Sequence, residues 1–394
     1  MKKVLYSSTA LAAAAAVALI PTGDAAAAEK AKKLQIGVGG AMTALVGFAN
    51  NSSSYEKTQA SDTTGVTGYE EFNVWTNTEI HFKGSTKLDS GITVSVEVQL
   101  EGDQVVSNEG GEGETIDASF LKVTGFFGDL RIGSTSPATA TLSQSAPWTG
   151  AIFPGVEDVF WIQKPGAVNI GSPSSDYNTG GKMTTGNGSD DVMKISYISP
   201  QFAGARFGVY YKPSGSDYNE GMPASGGTGG TEDQELGAVL NYETKMGAVS
   251  IKADLGRWSQ RGQANDSVDN TRFGMKIGFG DITVGGSVLE VSNSASGVEG
   301  TTSSDEGQYF DLGVLFKPKG YSIGLHYLHG EKPFAASAAG DDEKSILSLG
   351  ATYDLGPGVS AAGTVFMVDY QDELTNDTNN NKGWAAVAGV KVRF

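Results

Sequence analysis

The chain has 394 residues, a formal net charge of −17, 55 glycines, 12 prolines, three histidines and no cysteine. These figures exclude disulfides and thiolate metal sites, leave little imidazole for metal binding or acid-base catalysis, and argue against nucleic acid as a partner, since duplex binding places many Lys and Arg on phosphates. Glycine stands at about twice its usual share of roughly 7% without a G-X-Y period, which rules out collagen and favours many tight turns and close backbone contacts.

Met1-Lys2-Lys3 is a short positive region, Val4 to Ile20 is an Ala-rich apolar run, and Ala25-Ala26-Ala27-Ala28 supplies small residues for cleavage. Residues 1–28 read as a secretory signal peptide, leaving 29–394 as a single unit. A membrane anchor helix is the competing reading, and the small-residue site weighs against it. Losing Lys2, Lys3 and Asp24 makes the remainder one unit more negative. No later stretch is apolar enough for a membrane helix, in keeping with a mean hydropathy of −0.19. A membrane location would therefore require strands.

From Leu34 onward, segments of about ten residues with period-2 hydrophobicity alternate with polar segments rich in Gly, Ser, Asn and Asp. In 92–100, Ile92, Val94, Val96, Val98 and Leu100 share one face and Thr93, Ser95, Glu97 and Gln99 the other. The dyad recurs around Phe207, Phe273, Leu347 and, at the end, in Trp384, Ala386, Ala388, Val390, Val392 and Phe394 opposite Gly389, Lys391 and Arg393. Segments 282–292 and 359–371 alternate poorly, which suggests subunit-contact or mixed faces. Connections alternate short and long. Gly280-Asp281, Pro318-Lys-Gly320 and Gly356-Pro-Gly358 are tight, and the segments between hairpins are long and polar. A transmembrane antiparallel up-and-down β-barrel has that pattern, and counting hairpins gives about sixteen strands. One connection, 136–190, is far longer than a hairpin needs.

The segment Ser119-Phe-Leu-Lys-Val-Thr-Gly-Phe-Phe-Gly-Asp-Leu-Arg-Ile-Gly133 resembles the fourth-to-fifth-strand hairpin of Gram-negative general diffusion porins. Val390-Lys-Val-Arg-Phe394 is similar to that family's C-terminal assembly signal, carried by Val390, Val392 and Phe394. The resemblance implies a homotrimer of sixteen-stranded barrels in the outer membrane, a third loop folded inward at 136–190, and no enzymatic activity. It also implies insertion by the barrel-assembly machinery and passive diffusion of small hydrophilic solutes and ions. Many members carry a basic residue where Ser134 stands, so the usual arginine ladder facing the constriction is not assured.

With lipid outside and water inside, parity assigns Glu79, His81, Lys83, Glu97, Lys122, Arg131, Lys194, Arg206, Lys252, Asp254, Arg272, Lys276, Lys391 and Arg393 to the lumen. The expected basic pore wall is Lys83, Lys122, Arg131, Arg206, Lys252, Arg272 and Lys276. Glu157 and Asp158 of the long loop are the expected acidic constriction residues, opposed by Arg206, Arg272 and Lys83 and setting a transverse field; a solvated loop pair is the plain alternative. The five tryptophans, Trp75, Trp148, Trp161, Trp258 and Trp384, are candidates for interfacial girdles, with Trp384 and Phe394 the best placed and Trp148 and Trp161 better suited to packing the loop. No cofactor is expected. Asp377, in Asp377-Thr-Asn-Asn-Asn-Lys-Gly383, is a weak calcium candidate because its glycine is one place late and no Glu closes the span. Acidic segments such as Gly110 to Glu114 and Asp341 to Glu343 could bridge divalent cations to lipopolysaccharide. Gly37-Val-Gly-Gly40 opens a strand and relieves crowding rather than forming a dinucleotide fingerprint. A surface adhesin or barrel enzyme is the alternative function, but no G-x-S-x-G or H-E-x-x-H motif occurs.

Overall fold

A computed structural model describes residues 34–56, 68–102, 116–168, 170, 192–213, 234–261, 267–293, 307–332, 340–372 and 379–394. The signal segment 1–28, the acidic segment 110–114, Asp377 and all of 171–190 lie outside these residues.

The strands are β1 (Gln35–Asn50), β2 (Phe72–Lys87), β3 (Thr93–Glu101), β4 (Ile116–Gly125), β5 (Gly128–Ser134), β6 (Met193–Ile198), β7 (Ala205–Lys212) and β8 (Gln234–Met246), followed by β9 (Val249–Arg261), β10 (Ser267–Phe279), β11 (Ile282–Asn293), β12 (Gly307–Phe316), β13 (Tyr321–Lys332), β14 (Asp342–Gly356), β15 (Val359–Gln371) and β16 (Asn381–Arg393). Each pairs antiparallel with the next, and β1 pairs with β16 from Ala41↔Arg393 to Asn50↔Trp384, closing the cylinder. Closure removes every sheet edge, so no backbone ladder is left facing lipid. The expected sixteen-stranded antiparallel barrel is the observed one.

Side-chain alternation sorts the strands into two faces. On β10, Phe273, Met275, Ile277 and Phe279 are exposed, while Arg272 and Gly274 are buried. On β14, Leu347, Leu349 and Tyr353 are exposed and Ser348 is buried. An unbroken apolar belt of this kind is an aggregation hazard in water and a fitting surface in lipid. Near the short connections the belt ends in exposed aromatics, among them Phe126, Phe202, Tyr242, Phe279, Tyr321 and Phe394. Of the tryptophans, Trp384 faces outward and is exposed; Trp161 and Trp258 are buried inside and Trp75 stacks on Phe160 of the long loop. The girdle is thus mostly Phe and Tyr, because the other indoles point inward or belong to the loop.

The poor alternation of β11 and β15 has a physical cause. On β15, Val365 and Met367 are exposed outside, and Ala362, Phe366 and Val368 are buried inside. On β11, Val288 is exposed and Leu289 and Val291 are buried. Both faces are apolar because lipid covers one and packed loop residues cover the other.

Turn chemistry follows the short connections. Gly280 takes φ +57° in the two-residue link between β10 and β11, a left-handed position where a side chain would be strained. Strands β5, β6 and β7 have seven, six and eight residues, against 16 in β1 and β2. Because β5 stops so early, the chain leaves the wall part-way up and turns into the lumen.

Candidate functional site

The inward loop begins at Thr135, whose carbonyl is bonded by the Lys194 ammonium from β6. It then makes a helical turn, Ala138–Thr141, against β7 and β8 and runs around the inner wall. Wall side chains bind its backbone strand by strand. Asn241 of β8 donates to the Leu142 carbonyl at 2.9 Å, and Asp254 of β9 accepts from the Gln144 amide at 2.6 Å. Arg272 of β10 donates to the Gln144 carbonyl at 2.7 Å and pairs with Asp254. Asp311 of β12 accepts from the Ala146 amide at 3.0 Å, and Thr364 of β15 from the Ala151 amide at 2.8 Å. Thr149 bonds Ser322 of β13 and Thr352 of β14. The far end is tied by Asn51, which accepts from the Gln163 amide at 3.0 Å, and by Asn381 of β16, which donates to both Asn51 and the Gln163 carbonyl.

Inward glycines make this close approach possible. A side chain at Gly208 would meet Ala138, at Gly274 the Gln144 carbonyl, at Gly313 the Pro147 carbonyl, and at Gly350 the Thr149 carbonyl. One at Gly47 would meet the Trp161 ring, and one at Gly383 would meet Ile162. A strand-interior glycine marks just such a backbone approach. Between the tethers, Ile152, Trp161, Ile162, Val168 and Ile170 bury with Leu45, Ile346, Phe366, Val368 and Ala385 of the wall. The loop is a fixed strap with its own dry core, inside what parity alone treats as a uniformly wet lumen.

Glu157 and Asp158 sit at the start of a 3-10 turn, Asp158–Phe160, and have separate surroundings. Asp158 is fully buried against the wall, 3.0 Å from the Lys344 Nζ of β14 and from the Tyr370 hydroxyl of β15. Glu157 accepts from the Phe153 amide at 2.6 Å and keeps partial exposure. Burial raises its carboxyl pKa, against the downward pull of that amide and of Lys391. The expected opposition is corrected for Asp158 and Arg272, both of which the strap takes out of the open lumen. Asp158 is neutralised from behind by Lys344, and Arg272 is sealed beneath the strap with Asp254. Arg206 pairs with Glu243 at 2.8 Å and Lys83 with Glu97 at 2.7 Å. Lys194 is likewise buried, holding the strap's first residues.

The remaining parity assignments fall on partly exposed inner surface. On β2 and β3, Glu79, His81, Lys83 and Glu97 form one cluster, with His81 Nε2 2.9 Å from Glu79 and Nδ1 3.4 Å from Glu97. Lys122 of β4 pairs with Asp129 of β5 at 3.2 Å, and Arg131 reaches Thr141 of the strap at 3.3 Å. Lys252 shares Glu243 with Arg206. Lys276 on β10, together with Lys391 and Arg393 on β16, adds further positive charge towards the short-turn end of the wall. Sequence reasoning missed Lys344, Tyr370, Asp311, Asn51 and Asn381. Of the strap's anchors, only the inward glycines left a readable signal.

At the barrel seam, Val390 and Phe394 are exposed outward and Val392 partly so. The backbone of Phe394 exchanges two hydrogen bonds with Gly40, whose missing side chain leaves room for the Phe394 ring. Among the described residues, no group of three or more His, Asp or Glu side chains is arranged for a metal ion.

The sequence profile of Gram-negative porins matches residues 7–373. No curated protein matches the chain by sequence. Among solved structures, the anion-selective porin from Comamonas acidovorans is similar at 15% identity and TM-score 0.61, covering 92% of this chain and 100% of that one. The outer-membrane channel DcaP of Acinetobacter baumannii is similar at 13% identity and TM-score 0.60, covering 94% and 100%. The trimer form of OmpT, an outer-membrane protein of Vibrio cholerae, is similar at 10% identity and TM-score 0.55, covering 92% and 100%. At these identities the structural likeness establishes the shared fold.

Proposed function

The chain belongs to the Gram-negative porin family, and on that premise we propose that it lets small hydrophilic solutes and ions diffuse passively across the outer membrane, through the opening between the inward strap and the β2–β5 wall. The observation that carries this reading is the uneven fastening of the strap, dense along β8 to β16 and sparse on β2 and β5, where, among the described residues, Asn73 and Trp75 meet it at Phe160 and Arg131 at Thr141. It narrows a barrel wide enough for an aqueous channel and leaves charged side chains on the facing wall.

Glu157 supplies the acidic side of the opening, and Lys83, Lys122 and Arg131 the basic side, with Lys252, Lys276 and Lys391 towards the short-turn end. A field between them aligns polar solutes and turns apolar ones away, because the latter must strip oriented water. Three copies assemble as a homotrimer, in keeping with the trimer form of the OmpT structure. Val390, Val392 and Phe394 present the closing strand to the barrel-assembly machinery. Asp341 and Glu343 meet lipopolysaccharide through divalent cations, while Asp342 between them is buried.

Purified, heat-modifiable protein in a planar bilayer should give stepwise, ohmic conductance. Silence from correctly folded barrels would overturn the channel reading and favour a surface adhesin or barrel enzyme.

A further inference from the structure

The chain has three histidines, and the fold sends them to three different environments. His326 of β13 is buried beneath the strap, its ring 5.7 Å from that of Trp148. His329 of the same strand faces outward, 2.9 Å from the Ser345 hydroxyl and packed on Phe310. Only His81 stands on the partly exposed inner wall, on β2, the strand facing Phe160 of the strap through Trp75. Its two ring nitrogens address two carboxylates, Glu79 at 2.9 Å and Glu97 at 3.4 Å. Glu97 is also held by Lys83 at 2.7 Å and by the Gln99 amide at 2.7 Å. Across the β2–β3 ladder, Glu101 lies opposite Glu79 and Gln99 opposite His81. The β1 neighbours are Gly39 and Ala41, which carry no charge. Beyond them, Arg393 on β16 lies opposite Ala41, and Lys122 on β4 lies opposite Ser95 of β3.

Histidine is the side chain whose charge changes between about pH 5 and 8. With the ring neutral, Glu79 and Glu97 face the lumen with Lys83 beside them and Arg131 of β5 acting on Glu97 from along the wall. With the ring protonated, a positive charge sits between the two carboxylates, each within ion-pair distance. We propose that His81 is a specificity-determining residue of the channel: its protonation cancels the acidic patch of the β2–β3 wall and shifts permeation from cations towards anions as pH falls. This rests on the channel reading above and adds a pH-dependent control to it.

The test is the reversal potential of the full-length protein in planar bilayers under a KCl gradient, read from pH 8 to pH 5.5. In the wild type the K+/Cl− permeability ratio should fall by about two- to fourfold, the effect expected of one unit charge acting across several ångströms of water. His81→Gln should hold its ratio nearly constant over that range, and His81→Lys should show at pH 8 the ratio that the wild type reaches at pH 5.5. Glu157→Gln should keep the pH-dependent fall. A fall that persists undiminished in His81→Gln, or one that disappears in Glu157→Gln instead, would overturn the proposal, as would a conducting wild type whose ratio is flat with pH. A wild type that does not conduct at all would sink the channel reading itself.

Discussion

The inner surface of this barrel has two halves built on opposite principles. On β7 to β16 and β1, wall side chains point at a strap of protein: Asp254, Asp311 and Thr364 accept its amides, inward glycines admit its backbone, and Asp158 is sealed against Lys344. On β2 to β5 few side chains reach the strap, Asn73 and Trp75 at Phe160 and Arg131 at Thr141, and the charged ones mostly keep partial exposure and pair with one another, as Lys83 does with Glu97 and Lys122 with Asp129. The same residue types therefore carry different energies on the two sides. A buried ion pair that loses one partner leaves an uncompensated charge in a low-dielectric site, whereas an exposed pair is largely screened.

The comparison breaks most sharply at Asp158. Asp158→Ala strands the Lys344 ammonium and should cost about 3–5 kcal/mol, seen as a lower midpoint for heat- or urea-induced unfolding and as larger, noisier conductance steps from a loosened strap. Adding Lys344→Met to that variant should restore much of the loss; no restoration would mean that the pair is not what holds the turn. Next comes Gly274→Val, which pushes a side chain into the Gln144 carbonyl and should cost about 1–3 kcal/mol while widening the opening, whereas Gly278→Val on the same strand, near the short turn and away from the strap, should leave the conductance steps unchanged. A smaller effect is expected at Glu157. Its carboxyl pKa is raised in the folded state, so folding favours the protonated form. That contribution is fully present below the ordinary carboxylate range and is lost as pH rises through the raised value. Glu157→Gln should flatten this part of the stability profile and move the K+/Cl− ratio towards chloride at neutral pH. Smallest of all is Lys83→Ala on the open half, whose side chain is 56% exposed. It should change stability by less than about 1 kcal/mol, yet still shift the permeability ratio towards cations. A stability loss at Lys83 as large as at Asp158 would erase the distinction between the halves.

How far this was legible depends on the range of the interaction concerned. Strand positions and in-out parity are local, and 92–100 and 384–394 display them directly through period-2 patterning. Short connections and the early end of β5 are local too, which is why the oversized loop could be located at 136–190. The division of the inner face into wet and dry is not local. Arg272 and Arg206 have equal parity and similar neighbours along the chain; what separates them is the Gln144 carbonyl resting on one and not the other. Asp158 finds Lys344 and Tyr370 only after the barrel has closed and the strap has crossed it, so no spacing rule could pair them. The poor dyads of 282–292 and 359–371 did carry the information in disguise. Apolar residues on both faces of a barrel strand mean that something besides water fills the inside. Read together with inward glycines such as Gly274, Gly350 and Gly383, they would have drawn the strap's path across the wall.

The knot of Asn51, Asn381 and Gln163 ties the strap to the first and last strands at once. Half of this knot comes from β16, the last of the sixteen described strands. A chain still lacking its final hairpin keeps the moorings on β8 to β14 but not this one, so an unfinished cylinder holds the far end of its sieve loose. Joining the two ends of the sheet therefore completes the seal against lipid and fastens the far end of the filter in a single event.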